Sequence, residues 1–454
     1  MSNYNTNFRV KKILLLIFSF LLIGGLAFLL IGGLAKHDLA NSGAIIPIII
    51  LLLCIPAALV TLLLLIAFKK SKSTKAPIIR RKKQVVENIA TEDEEIERFC
   101  MLSAIDRKRN SYGHKNYAKN VTLEEFCDNF RNYAAYELGL YYDIEDIRRF
   151  IAGMSVSHML ILQGMSGTGK TSLAHAIGSF VDNTSTIIPV QPMWKERTDL
   201  VGYYNEFTKR FNETLLLTKM YEANYSKDIY ITVLDEMNIA RIEYYFAEFL
   251  SLLELPNPEE RYLDVVSDKW ENDPIQLKDG RIKLPTNMWF IGTANNDDST
   301  FLISDKVYDR AMILDLDQKT ERFVAPPTER IILSADEFEQ LVVSAQKEYE
   351  ISYRNKKRLE MLDEYLISHF HVTFGNRIMK QITTYIPVYI ACGGDELFAL
   401  DDILSKKVIR KLESQNPIYF KNASDGLIAY IDDLFGAENM NLCKEHIKRI
   451  LRNA

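Results

Sequence analysis

The stretch SHMLILQGMSGTGKTS, residues 157–172, decides the fold. Its apolar residues 159–162 end at Gln163, and GMSGTGKT, residues 164–171, then fits the pattern G-x-x-x-x-G-K-[ST] without a mismatch. From Ser172 onward the pattern is helical. The order of strand, glycine-rich turn and helix is the context in which this pattern forms a phosphate-binding loop. An ordinary glycine-rich turn between a strand and a helix is the alternative.

Each residue type in this loop has a chemical reason. Backbone N–H groups can converge on phosphate oxygens only where the chain curls with few side chains in the way, and glycines permit that curl. Lys170 places a positive charge near the β- and γ-phosphates, and the Thr171 hydroxyl can ligate Mg²⁺. We therefore predict that a nucleoside triphosphate binds to Gly164, Ser166, Gly167, Thr168, Gly169, Lys170, Thr171 and Ser172.

A second apolar run, IYITVL at 229–234, ends in Asp235 and Glu236. The run predicts a buried strand, which would fix both carboxylates in place. Asp235 can contribute to the Mg²⁺ shell together with Thr171, and Glu236 can orient and deprotonate the attacking water. A pair of solvated acids at the end of a strand is the alternative. The phosphate loop about 65 residues earlier favours the catalytic interpretation.

Three polar residues further along the chain are candidates for the same chemistry. Asn295 follows the apolar run MWFIGTA and could sense the γ-phosphate, although Asn-Asn-Asp-Asp is also good turn chemistry. Arg310, in KVYDR, could reach the phosphates of a neighbouring subunit, or form a surface ion pair with a nearby aspartate. Arg377 opens a C-terminal helix and could contact phosphate from that side.

Uniformly apolar strands that alternate with helices predict an α/β fold, with a parallel sheet covered by helices on both faces. A hairpin tip is predicted at KDGR, 278–281, inside an insertion at 255–285. The predicted strands are 159–162, 185–190, 229–234, 288–294 and 311–316, and the predicted helices include one ending near 224 and those at 241–253, 335–350, 354–369, 377–390, 403–412 and 439–452.

These patterns divide the chain into segments. Residues 95–140 are assigned to a helical N-terminal segment, 141–325 to the nucleotide-binding core and 326–454 to an all-helical lid. Within the first of these, Thr122 and Glu125 resemble a capping box, and the next helix is predicted to begin near Asp143.

The first 71 residues predict a membrane anchor. Residues 13–35 and 44–68 carry no charge, and each stretch is long enough to cross about 30 Å of hydrocarbon as a helix. Only eight residues separate them, so we expect a helical hairpin in the lipid bilayer. A signal peptide is the alternative for the first stretch, which is long for one and is followed at once by a second span.

Charge gives the orientation of this hairpin. Basic residues flank both outer ends, and the positive-inside rule then places both termini and the core in the cytoplasm, on a two-span protein of the cell membrane. The basic cluster at 69–83 either binds anionic lipid or serves only as this topology signal. Residues 72–94 have the composition of a polar linker.

The rest of the chain is acidic. Residues 1–83 hold twelve Lys and Arg and one acid, a net charge of +11 against −5 for the whole chain, which leaves −16 for residues 84–454. This balance argues against direct nucleic-acid binding. The five cysteines form no C-x-x-C pair and predict neither a disulfide framework nor a metal site.

Over about residues 140–450 the chain resembles AAA+ ATPases. The resemblance is carried, in this order, by the motifs GMSGTGKT, ITVLDEMNIAR, FIGTANNDD, SDKVYDRA and FGNR. The likeness is to the branch that holds dynein-like, MoxR-like and McrB-like members, and MWKERTDLVGYY and DEMN are most similar to the McrB-like ones. This resemblance implies an ATPase that binds ATP and Mg²⁺ and forms a ring, usually a hexamer, with each site between two subunits. It also implies that Asn238 helps Glu236 to position water.

Two departures and one gap limit the resemblance. McrB-like proteins carry a DNA-recognition domain where this chain has the predicted hairpin, and their arginine-rich segment is here Tyr308-Asp309-Arg310. McrB-like motors use GTP, and no residue decides between ATP and GTP. In family members the stretch that contains Tyr203, Tyr204 and Phe207 points toward the ring channel, whereas packing between subunits would be its plainer use.

Three functions follow. The first is a membrane-anchored ATPase that remodels a protein partner at the cytoplasmic face. The second is the motor of a nucleic-acid-targeting defence system that acts with a separate nuclease. The third is a nucleotide-gated scaffold without turnover.

Overall fold

The computed structural model describes residues 97–453 apart from 113–114, 296–299 and 318. These residues belong to one compact unit. None of the helices among them is long and apolar enough to cross a membrane. The spans predicted at 13–35 and 44–68, and the linker predicted at 72–94, lie outside the described residues, so the anchor stays a prediction.

A five-stranded parallel sheet lies at the centre, with strand order β10-β1-β9-β5-β2. Each predicted strand is confirmed within one residue at either end. The described residues contain the strands β1 (Met159–Gln163), β2 (Thr186–Pro189), β3 (Gly202–Asn205), β4 (Arg210–Glu213), β5 (Tyr230–Asp235), β6 (Tyr262–Asp264), β7 (Leu277–Lys278), β8 (Arg281–Lys283), β9 (Met288–Ala294) and β10 (Met312–Asp315).

Helices cover both faces of the sheet, as the apolar strands require. They are α1 (Cys100–Arg107), α2 (Leu123–Leu138), α3 (Ile144–Val156), α4 (Lys170–Phe180), α5 (Thr198–Val201), α6 (Leu215–Ala223), α7 (Ile242–Tyr245), α8 (Ala247–Leu253), α9 (Asp305–Tyr308), α10 (Ala335–Glu348), α11 (Tyr353–Phe370), α12 (Gly375–Ala391), α13 (Glu396–Lys407), α14 (Pro417–Phe435) and α15 (Asn441–Asn453).

Alternate residues of each strand enter different cores. Leu160 and Leu162 of β1 pack with α2, α3, α4 and the C-terminal helices. Met159 and Ile161 pack on the other face with α1, α6, α7, α8 and the small sheet β6-β8-β7. Because a strand places successive side chains on opposite faces, one apolar strand supplies both cores.

The helix starts predicted before the core are confirmed. The Thr122 side chain accepts a hydrogen bond from the N–H of Glu125 and caps α2, and Asp143 caps α3 through the N–H of Glu145. The hairpin tip predicted at 278–281 is also confirmed, because Asp279 and Gly280 connect β7 to β8 with positive φ angles of 52° and 75°.

Two predictions in the core region need correction. The helix predicted at 241–253 is two short helices, α7 and α8, because Phe246 leaves the helical conformation with φ −116° and ψ 3°. The ring of Phe246 is fully buried and stacks on Phe249 at 4.9 Å. Between residues 193 and 213, where no helix or strand was predicted, the chain forms α5 and the antiparallel hairpin β3–β4, whose tip exposes 99% of Phe207.

The region after residue 326 is helical, as predicted, with two differences. Helix α13 begins at Glu396, seven residues before the predicted start at 403, because the Asp395 side chain caps it. Helix α14 was not predicted. Its middle carries Asn422, Ser424, Asp425 and Gly426, which are poor helix formers, and its buried apolar face stabilises it instead.

Candidate nucleotide site

The phosphate loop connects β1 to α4, in the predicted order. Gly164 has φ 142°, and a Cβ atom there would lie 2.4 Å from the Leu316 carbonyl oxygen. Gly169 has φ 93° and caps α4 without any side-chain hydrogen bond to the first turn. The N–H groups of that turn are therefore left for an anion, as in other anion sites at helix N-termini.

Lys170 lies under this loop and is 7% exposed. Its ammonium donates to the carbonyl oxygens of Gly164 at 2.9 Å and Met165 at 2.8 Å. Burial lowers the pKa of Lys170, and the carboxylates of Asp317 and Asp235 act in the opposite direction. The positive charge is thus placed between the loop and two acids, where a phosphate would meet it.

The remaining loop residues have simpler surroundings. Ser166 and Gly167 are exposed at the loop tip. The Thr168 hydroxyl donates to the Met165 carbonyl at 3.0 Å, and Ser172 lies half-buried in the first turn of α4.

The two predicted metal ligands meet. The Thr171 hydroxyl donates to the Asp235 carboxylate at 2.8 Å. Thr293 of β9 donates to the same carboxylate oxygen at 2.9 Å. The phosphate loop and the end of β5 therefore share one polar site at the carboxyl edge of the sheet, although they are far apart in sequence.

Glu236 follows Asp235 in a left-handed conformation, with φ 53°. Such a conformation is unfavourable for a residue with a side chain and is commonly retained at functional sites. Two contacts hold it here. The Glu236 N–H donates to the Thr293 hydroxyl at 2.9 Å, and Met237 packs so closely on Gly292 that a Cβ at Gly292 would lie 1.9 Å from its sulfur. The exposed Glu236 carboxylate is thereby directed to solvent beside Asp235.

Asn238 and Asn295 lie together next to this acid pair. The Asn238 amide donates to the carbonyl oxygens of Asn295 at 2.9 Å and Phe301 at 3.3 Å. Asn238 is 4% exposed, so it supports the loop that carries Asn295. Its Oδ1 is buried without a hydrogen-bond partner among the described residues. The catalytic roles predicted for both residues stay predictions.

A cavity of about 990 Å³ opens beside the phosphate loop. Asp317 belongs to both, since its carboxylate would lie 3.1 Å from a Cβ at Gly164. On the other side of the loop, the Tyr142 hydroxyl donates to the Gly169 carbonyl at 3.1 Å. The walls come from α3, α13, α15 and the chain after β10, and include Asp143, Arg149, Phe323, Lys406, His446 and Arg449.

Arg310 lies at the opposite edge of the sheet. Its carbonyl accepts a hydrogen bond of 2.9 Å from the Ser157 hydroxyl, just before β1 begins. The five residues of β1 then span roughly 17 Å to the phosphate loop. The Arg310 guanidinium pairs with Glu254 at 2.7 Å. The alternative partners expected from sequence, nearby aspartates, do not hold it, and its own phosphate loop is out of its reach.

Arg377 shares the partner of Arg310. Its guanidinium lies 2.6 Å from the other oxygen of Glu254 and is 51% exposed. Gln381, one turn further along α12, donates to the Asp309 carbonyl at 3.1 Å. The structure therefore places Arg377 with Arg310 at the amino edge, away from the phosphate loop of its own chain, and its contact with phosphate stays a prediction.

The residues fit a magnesium nucleotide. An uncapped helix start and Lys170 suit phosphate, and Thr171 with Asp235 supplies the hydroxyl and carboxylate oxygens that Mg²⁺ takes besides phosphate and water. The described residues contain no group of three or more His, Cys, Asp or Glu suited to a metal.

Sequence reasoning missed Thr293, Tyr142, Asp317 and Glu254. Thr293 carried a signal, because it is the hydroxyl in the otherwise apolar run MWFIGTA and precedes the end of the strand. The other three reach the site through tertiary contacts, and no local pattern identifies them.

Comparison with known proteins gives a family match for part of the chain. Residues 159–311 match the AAA domain (dynein-related subfamily), a stretch shorter than half of the chain. No curated protein matches the chain. Among solved structures it is similar to a full-length MCM homolog from Methanopyrus kandleri, with 12% identity and a TM-score of 0.35 over 61% of this chain and 58% of that one. The chain thus spans less than two thirds of that protein.

The matched residues 159–311 run from the first residue of β1, through both acids and Asn295, to the residue after Arg310. The parallel order β10-β1-β9-β5-β2 places these motifs around one sheet. The chain therefore contains an AAA domain of the dynein-related subfamily.

Proposed function

We propose that this protein is a membrane-anchored ATPase that binds ATP and Mg²⁺ and uses hydrolysis to remodel a protein partner at the cytoplasmic membrane face. The observation that carries the proposal is the shared site of Thr171, Asp235, Thr293 and Glu236. A metal ligand pair and a carboxylate for water lie there against a loop built for phosphate. The adjoining cavity of about 990 Å³ has room for the base and ribose.

The residues divide the work. Lys170 and the N–H groups of the loop bind the phosphates, and Thr171 with Asp235 would hold Mg²⁺, which offsets phosphate charge when bound. Glu236 accepts a proton from the attacking water, and its strained backbone fixes the direction of its carboxylate. Asn295 positions that water, and Asn238 supports the loop that carries it.

A second copy of the chain completes the site. Arg310 and Arg377 lie at the amino edge, beyond the reach of their own phosphate loop, so both would serve the nucleotide of a neighbouring subunit. A ring, usually a hexamer among AAA+ proteins, is the arrangement that gives every site such a neighbour.

Two variants test hydrolysis. Lys170→Ala should abolish nucleotide binding. Glu236→Gln should bind ATP as well as the unchanged protein does and lose turnover, since an amide cannot take the proton. Phosphate release and binding of a fluorescent ATP analogue measure the two effects. Undiminished hydrolysis in Glu236→Gln would refute the assigned mechanism. If the unchanged protein hydrolyses no ATP, that result would favour the scaffold function.

The membrane anchor rests on residues 13–35 and 44–68. The full chain should stay in the membrane pellet after an alkaline wash, and protease added from the cytoplasmic side should reach both termini. Release of the protein from the membrane by the wash would refute the anchor and would leave the ATPase proposal unaffected.

A motor of a nuclease-containing defence system is the second candidate, supported by the similarity of MWKERTDLVGYY and DEMN to McrB-like proteins. It would use ATP or GTP. Salt-dependent DNA binding by the protein with its partner nuclease would favour it, and the acidic charge of residues 84–454 counts against direct DNA contact.

A further inference from the structure

Tyr308 lies between the two edges of the sheet and has no role in the site described above. It ends α9, is 6% exposed and precedes Arg310 by two residues. The Arg410 guanidinium covers its ring at 3.4 Å from the centroid. Burial raises the pKa of Tyr308, so its hydroxyl remains a proton donor.

That hydroxyl reaches the end of the strand before the phosphate loop. It donates to the side-chain oxygen of Gln163 at 3.1 Å, and Gln163 is the last residue of β1, directly before Gly164. The Gln163 amide nitrogen donates in turn to Asp315 at 2.6 Å. Both ends of the Gln163 amide are therefore engaged, and the orientation of this side chain is fixed by two neighbours.

The main chain of Tyr308 holds the Arg310 turn from the other side. Lys407, which is 2% exposed, donates to the Tyr308 carbonyl at 2.7 Å and also to the Ala311 carbonyl. These two carbonyls flank Arg310. One tyrosine thus contacts the last residue before the phosphate loop with its hydroxyl, and its backbone carbonyl is held together with the arginine turn by Lys407.

We propose that Tyr308 is a positioning residue that ties Arg310 to the strand before the phosphate loop, and so holds in place the arginine that each subunit offers to the next. This inference rests on the proposed function, because it takes Arg310 to act on a neighbouring subunit.

A mixture of two inactive proteins separates the roles of the two edges. Lys170→Ala subunits bind no nucleotide but still offer Arg310, and Arg310→Ala subunits bind nucleotide but offer no arginine. When mixed, they should recover hydrolysis at the interfaces where the first kind serves the second. Tyr308→Phe is then added to one kind of subunit at a time.

On the Lys170→Ala subunit, Tyr308→Phe should lower the recovered rate by about fivefold or more, the size of a typical coupling between sites. On the Arg310→Ala subunit it should change the rate by less than about twofold, because that subunit offers no arginine to position. Gln163→Met on the Lys170→Ala subunit removes the acceptor and should repeat the loss.

Tyr221→Phe is the matched control, since this buried hydroxyl donates to Asp106 at 2.7 Å and accepts from the Gln276 N–H, and so bonds neither to Gln163 nor to the Arg310 turn. It should leave the recovered rate unchanged, and melting curves should show every variant folded. Equal loss from both placements of Tyr308→Phe, or no loss from either, overturns the inference. No recovery in the mixture with Tyr308 intact would instead refute the trans role of Arg310 in the proposed function.

Discussion

The carboxyl and amino edges of the central sheet carry functional side chains in different states. At the carboxyl edge, Thr171, Asp235 and Thr293 form hydrogen bonds with each other, and Glu236 is fixed beside them. At the amino edge, two guanidiniums share the single carboxylate of Glu254. The first group is assembled within one chain, whereas the second faces away from any phosphate that the same chain could bind.

Under the proposed function, this difference would divide the reaction between copies of the chain. Binding and metal ligation need atoms placed within about 3 Å of one another, and one chain supplies them. In this proposal the positive charge that would stabilise the reacting phosphate of a neighbouring subunit is held at the other edge, where both guanidiniums pair with Glu254. Variants at the two edges should therefore fail in different ways.

The largest contrast is between Lys170→Ala and Arg310→Ala. The first should abolish nucleotide binding, because the ammonium under the loop is lost. The second should retain affinity within about threefold and lose turnover by about tenfold or more, since the arginine acts only on the reacting phosphate. Titration with a fluorescent ATP analogue and steady-state hydrolysis separate the two. Equally weak binding of the ATP analogue by both variants would show that the two edges do not have separate roles.

Thr293→Val should come next. It removes the hydroxyl that joins Asp235 to the Glu236 N–H while keeping the shape of the side chain. We expect turnover to fall by about tenfold, a loss of about 1.4 kcal/mol in transition-state stabilisation. The control is Thr232→Val on the neighbouring strand, whose buried hydroxyl has no hydrogen-bond partner and should be dispensable. A similar loss in both variants would show that the effect comes from packing.

Glu254→Gln tests the amino edge. The amide no longer neutralises the two guanidiniums, so both lose their fixed orientation. Turnover should fall by about fivefold, and stability by less than about 1 kcal/mol because the pairs are partly exposed. Glu248→Gln, which breaks an exposed pair with Arg197 at 3.1 Å, is the control and should leave turnover unchanged. Weakened ATP binding in Glu254→Gln would mean that this edge also serves its own site.

The last prediction concerns Lys407 and the dependence of stability on pH. Burial lowers its pKa to about 7, against 10.5 for an ordinary lysine. Between these values the unfolded chain binds more protons than the folded one, so this residue makes stability rise with pH. The difference in melting temperature between the unchanged protein and Lys407→Met should therefore shift in favour of the unchanged protein as pH rises from 7 to 9. A constant difference over that range would contradict the shifted pKa.

Much of the carboxyl edge could be predicted from the sequence. The apolar runs before Gly164, Asp235 and Asn295 predicted β1, β5 and β9, and their polar ends met as parallel strands require. Less could be predicted where packing decides. Helix α14 forms in spite of Gly426, and Phe246 interrupts a helical pattern because its ring is buried against Phe249. The conformational preferences of neighbouring residues cannot predict these contacts, because the contacts form only when the helices pack.

The sequence by itself determined the phosphate loop, the acid pair and the strands that carry them, because glycine conformation, charge and apolar runs act over a few residues. Only the tertiary structure decided that Glu254 holds both Arg310 and Arg377, and that Tyr308 reaches Gln163. These partners are distant in the chain, and their meeting depends on how helices pack on the sheet. The physical reason is range: backbone preferences are local, whereas ion pairs and buried hydrogen bonds form wherever the fold brings charges and donors together.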